Sequence, residues 1–143
     1  MPNIKPWSIS SLDIPSAYWN ISDDIRKSSV KVDTNLQLKR EGGKINQLSL
    51  ETVLTFFDSE DASKNYGSIC VNSRAMISYN PDLDIVNLSD FKLKELISDV
   101  ISALSGNNRS EMKKIASAAG LDSPLILPIF QLTDEEMNSA LTT

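Results

Sequence analysis

Residues 30–38 alternate without a break. Val30, Val32, Thr34, Leu36 and Leu38 fall on one side of a period-two repeat, and Lys31, Asp33, Asn35, Gln37 and Lys39 on the other. Only an extended strand with one face buried and one wet requires that pattern. The stretch Arg-Glu-Gly-Gly-Lys follows at 40–44. Gly42 and Gly43 permit positive φ, so the strand is expected to turn back on itself as a hairpin.

The returning segment carries two periods at once. Leu48, Leu50, Leu54 and Phe56 fit a strand, while Leu50, Val53, Leu54 and Phe57 fit one face of a helix. Its β-branched and aromatic residues and its place after the turn favour a strand over 48–57. A third strand is predicted where Ile69, Val71, Ala75, Ile77 and Tyr79 share a face, ending at Asn80–Pro81.

The second half changes period. Leu93, Leu96, Ile97, Val100, Ile101 and Leu104 recur at helical spacing, and Gly106 suits a stop. Asn108 and Glu111 have the spacing of a capping box, which predicts a second helix over 108–119 with Met112, Ile115 and Ala116 on its apolar face. The short joint between them implies a helical hairpin. Pro124 and Pro128 make 121–132 extended, and a further capping box at Thr133 and Glu136 predicts a short C-terminal helix. The expected class is therefore α+β: an antiparallel meander of about three strands, then a helical hairpin and a short helix. Val30, Val32, Leu36, Leu38, Ile69, Val71 and Ile77 should face the helix at 89–105.

Residues 1–29 read as an extended apolar arm ahead of a single α+β domain at 30–143. Pro6 and Pro15 interrupt regular structure there, and both tryptophans of the chain, Trp7 and Trp19, lie in it with Tyr18. Such an arm packs across its own domain or onto a neighbouring subunit; Trp7, Tyr18 and Trp19 are its candidate interface residues.

Composition removes several chemistries. The 143 residues include no histidine and one cysteine. Ser-His-Asp and Cys-His catalysis, histidine or four-cysteine zinc sites and an internal disulfide are all excluded. Cys70 has no base beside it in sequence and reads as a quiet, partly buried thiol. The acidic stretches Asp-Ser-Glu-Asp at 58–61 and Thr-Asp-Glu-Glu at 133–136 lack the spacing of an EF-hand loop and read as solvated charge. The glycine pair lacks both the GxxxxGK[ST] and the GxGxxG context, so no phosphate cradle is expected. No cofactor, metal or small-molecule substrate is implied. Three prolines and no continuous apolar run in the first twenty residues argue against a signal peptide, and an intracellular, reducing compartment is the simplest expectation.

Charge is unevenly spread. Residues 26–44 carry six basic and two acidic side chains, net +4; the rest carry eight basic and seventeen acidic, net −9, for −5 overall. Lys39, Arg40 and Lys44 gather at the hairpin tip. They protect a strand edge, or they contact an anionic surface: nucleic acid, a membrane, or the acidic face of an identical subunit.

Arm, basic hairpin and absent catalytic residues together describe a non-enzymatic assembly protein that self-associates. By analogy of organisation its most concrete form is a viral matrix- or coat-type subunit. The alternative is an adaptor, chaperone or inhibitor that binds one protein partner.

Overall fold

The computed structural model describes residues 7–21, 28–41, 44–61, 63–79, 90–118 and 135–136. Among these residues four strands, β1 (Trp7–Ile21), β2 (Ser28–Glu41), β3 (Lys44–Asp58) and β4 (Asn65–Tyr79), precede a long helix, α1 (Asp90–Ala118). The strands form one antiparallel sheet in the order β1-β4-β3-β2. Thus β2, β3 and β4 are a meander, and β1 closes beside β4 in a Greek-key order.

Two features correct the expected class. The sheet has four strands, because the stretch read as an arm supplies β1. Pro15 is tolerated there because β1 is an edge strand and its pairing with β4 shifts register between Asp13 and Ser16. The helical hairpin is also absent: Asp90–Ala118 is one continuous helix of 29 residues. Leu104, Asn108, Met112 and Ile115 are spaced by four, four and three, so the two predicted helices are in phase and their apolar faces are one stripe. Gly106 is exposed on the far side with open space around it. It costs the helix about 1 kcal/mol and does not end it. Of the expected short C-terminal helix, Glu135 and Glu136 are helical; the rest of it, with the extended stretch at 121–132, lies outside the described residues.

The segment 48–57, which fitted both periods, is a strand within β3. Tertiary context decides it. Leu48, Leu50, Leu54 and Phe56 are buried under α1, whereas Val53 and Phe57 point to the other face and are half-buried. The core has two parts. One gathers Leu48, Leu50, Ala75 and Ile77 against Leu96, Ile97, Val100 and Leu104. The other gathers Leu54, Phe56, Ile69 and Val71 against Met112, Ile115 and Ala116. The helix thus covers Ile69 and Val71 with its C-terminal half, not with residues 89–105.

Between the two clusters stands Asn108, buried mid-helix. Its Nδ2 donates to the Leu50 carbonyl at 3.0 Å and to Thr52 Oγ1 at 2.9 Å. Its Oδ1 accepts from the Ser73 hydroxyl. Both donors and the acceptor of the amide are therefore used, which is what a buried polar side chain requires. The residue that reads as a helix cap locks the helix to the sheet instead.

Candidate functional site: the apolar margins beside the helix

Cross-strand pairing lays residues in rows across the sheet. One row on the helix side runs Trp19, Ile69, Leu54, Val32 from β1 to β2. Its centre is sealed: Ile69 and Leu54 are fully buried, while Trp19 at one end is 46% exposed and Val32 at the other 37%. In the next row Phe56 is buried while Val30 is exposed. The helix packs over β3 and β4, with a lighter contact on β1. A single helix about 10 Å wide cannot roof four strands spaced about 4.7–4.9 Å apart. On each edge strand some apolar side chains are therefore left exposed, Leu12 and Trp19 on β1 and Val30 and Val32 on β2.

The three aromatic residues of the former arm separate. Trp7 sits opposite Tyr79 and is buried in the first core cluster. Trp19 lies on the helix side, and Tyr18, one residue earlier, lies on the opposite face, 60% exposed and paired with Cys70. Burial pushes the Cys70 thiol above its ordinary value, away from the thiolate a nucleophile needs. The bond to that thiol also raises the Tyr18 hydroxyl.

The basic tip separates too. Lys39 pairs with Gln47 on the open face, while Arg40 pairs with Ile45 and so stands on the helix side. Lys44 lies 5.5 Å from the Tyr79 ring centroid. That Tyr79 hydroxyl also takes the Ile45 N–H at 3.1 Å and donates to the Ile45 carbonyl at 2.8 Å. The three cations therefore do not converge on one face. The acidic residues at 58–61 are likewise engaged locally. Asp58 accepts from the Tyr66 hydroxyl at 2.7 Å and from the Glu60 and Asp61 amides at 2.8 and 3.1 Å. Among the described residues no group of three or more Cys, Asp and Glu side chains could hold a metal ion. No described helix is long and apolar enough to cross a membrane.

Sequence periodicity assigns Val30 and Val32 to the helix side correctly but does not reveal that they are uncovered. Position in the sheet order decides that, and no local pattern encodes it. Leu12 escapes sequence reasoning for a different reason: the register shifts of β1 break its alternation.

A four-stranded antiparallel sheet in the order β1-β4-β3-β2, crossed by one long helix, defines an α+β class also present among solved structures. A SecB-like chaperone from Mycobacterium tuberculosis, solved with a ChAD peptide from the HigA1 antitoxin, is similar over 90% of this chain and 93% of its own, with a TM-score of 0.66 and 10% identity. At that identity the likeness shows the fold alone. A protein of unknown function from Streptococcus agalactiae aligns over 87% of this chain and 97% of its own at 14% identity, but its TM-score of 0.25 carries no argument. No protein-family model and no curated protein sequence matches the chain.

Proposed function

We propose that this protein binds an extended segment of another protein, as a chaperone or adaptor does, and that Tyr18 and Trp19 anchor the segment. The observation that carries the reading is the row Trp19-Ile69-Leu54-Val32, in which a tryptophan stands 46% exposed beside fully buried neighbours. Aromatic side chains of this kind dominate the energetics of protein interfaces, and a segment lying along the β1 edge can meet Trp19 on the helix side and Tyr18 on the other. The solved neighbour with this fold is a SecB-like chaperone in complex with a peptide of an antitoxin, which supports a peptide-binding role here. The fold likeness favours this alternative over a viral matrix- or coat-type subunit, for which it offers no support.

The experiment is suppression of aggregation. An aggregation-prone reporter protein is diluted from urea, with and without this protein, and light scattering is followed. The wild type is expected to suppress scattering at stoichiometric ratios. The Tyr18→Ser, Trp19→Ser double variant should lose most of that effect while keeping its circular dichroism spectrum. A wild type without effect, or a double variant as effective as the wild type, sinks the reading.

A further inference from the structure

The two edges of the sheet are unlike. In β1, Pro15 withholds an N–H and two register shifts break the line of the strand, both devices that blunt an edge. In β2, the pairing with β3 is regular from Ser28 to Lys39 and there is no proline. Among the described residues β2 pairs with β3 alone, so a long straight row of backbone donors and acceptors faces outward. Such an edge is a template for another strand.

Its side chains say which strand. Lys31, Asp33, Asn35, Gln37, Lys39 and Glu41 line the open face of β2 and are all exposed. We propose that β2 pairs antiparallel with β2 of a second copy, about a two-fold axis at Leu36. In that register Lys31 faces Glu41 of the second copy, Asp33 faces Lys39, and Asn35 faces Gln37, each twice by symmetry. Four opposite-charge pairs and no like-charge pair result, and directly opposed pairs are the unit of sheet stabilisation. Neighbouring registers fail on charge. An axis at Asn35 sets Lys31 against Lys39, and an axis at Gln37 sets Asp33 against Glu41.

The helix-side face agrees. Leu36 meets Leu36, Thr34 meets Leu38, and Arg40 lies against Val32, whose 37% exposure its aliphatic stem would cover. Opposed residues share a face, so two four-stranded sheets become one of eight with both helices on the same side. Two existing contacts yield to the pairing, both between exposed side chains: Lys31–Asp33, 3.9 Å long with 68% and 59% exposure, and the 3.0 Å bond that Asn46 Nδ2 donates to Glu41. Lys39 then has a defined partner, which its separation from Arg40 denied it in a three-cation patch. Because β2 is the contact, client binding at Tyr18 and Trp19 on β1 can fail or hold independently.

The test is a charge swap read by sedimentation equilibrium. Wild-type protein should form a dimer that dissociates on dilution and with added salt. Asp33→Lys places a second lysine opposite Lys39, and Lys39→Asp places a second aspartate opposite Asp33, so each variant alone should dissociate at least tenfold more readily. Mixing the two gives a heterodimer in which lysine meets the new aspartate at one site and Asp33 meets Lys39 at the other, and the mixture should regain the dimer mass. The double variant Asp33→Lys, Lys39→Asp restores both attractive pairs within one kind of chain and should dimerise like the wild type, which keeps the proposal testable should a single variant misfold. A wild type that stays monomeric at several hundred micromolar overturns it. So do single variants that dimerise unchanged, and a mixture or double variant that stays monomeric. A monomer that instead takes an unrelated extended peptide on β2 overturns the second copy as occupant.

Discussion

Asn108 Nδ2 stands 2.9 Å from Thr52 Oγ1, tying the middle of the helix to the middle of β3 at the level where, among the described residues, the core is polar. On the helix Leu104 lies on one side of Asn108 and Met112 on the other; on β3 Leu50 and Leu54 flank Thr52; on β4 Ala75 and Val71 flank Ser73. A buried amide bonded in this way fixes how the helix lies along the sheet, because any slide leaves it unpaired.

Removing it should be expensive. Asn108→Ala opens a cavity and takes the amide partner from the Thr52 and Ser73 hydroxyls, so a loss of about 2–4 kcal/mol is expected from urea unfolding. Combined with Thr52→Val the effects should be strongly non-additive, since both act on one network. Additive losses would show that the network is not a unit.

Gly67 is a second point with no freedom. Its φ is +121°, and a Cβ there would fall 1.9 Å from the Asn20 carbonyl of β1. Backbone cannot yield as a side chain can. Gly67→Ala is expected to cost about 2 kcal/mol or more and to loosen the far end of β1. Hydrogen exchange of residues 17–21 reads the loosening, and unchanged protection there contradicts it.

Cover by the helix should separate residues that sequence alone treats alike. Phe56 and Val30 are cross-strand partners with the same pattern, yet one is buried and the other 40% exposed. Phe56→Ala should lose about 3–5 kcal/mol. Val30→Thr should lose no more than about 0.5 kcal/mol, the scale of ordinary surface changes. Similar losses at the two sites would mean that the edge is covered.

Acid should weaken the turn after β3. The Tyr66 hydroxyl, and then the Glu60 amide, hold the Asp58 carboxyl below its ordinary value of 3.8, and the Ser63 hydroxyl does the same for Asp61. A carboxyl lowered on folding stabilises above its unfolded pKa, and that stability is lost as pH falls through the folded value. The melting temperature should therefore fall on acidification below about pH 4, and Asp58→Asn should remove part of that slope. An unchanged slope between about pH 5 and pH 2.5 would show that these bonds do not persist in solution.

The local code of this chain is plain in some places. The alternation at 30–38 and the glycines after it dictate a strand and a return, and the helical period from Leu93 to Leu104 dictates a helix, because each pattern suits one backbone geometry. With no histidine and one cysteine, the same sequence excludes histidine catalysis, Cys-His catalysis and an internal disulfide outright. Three matters lay beyond it. Whether 1–29 is an arm or holds a strand depends on β4 offering an edge to it, since Pro15 and irregular spacing hide the period. Whether Asn108 caps a helix or sits inside one depends on Leu50, Thr52 and Ser73 meeting its amide, residues 35 to 58 positions away. Whether Trp19, Val30 and Val32 are core or surface depends on the order β1-β4-β3-β2 and on one helix being too narrow to cover both margins. Periodicity reports which face a side chain is on; only the packing of distant elements decides whether anything lies above it.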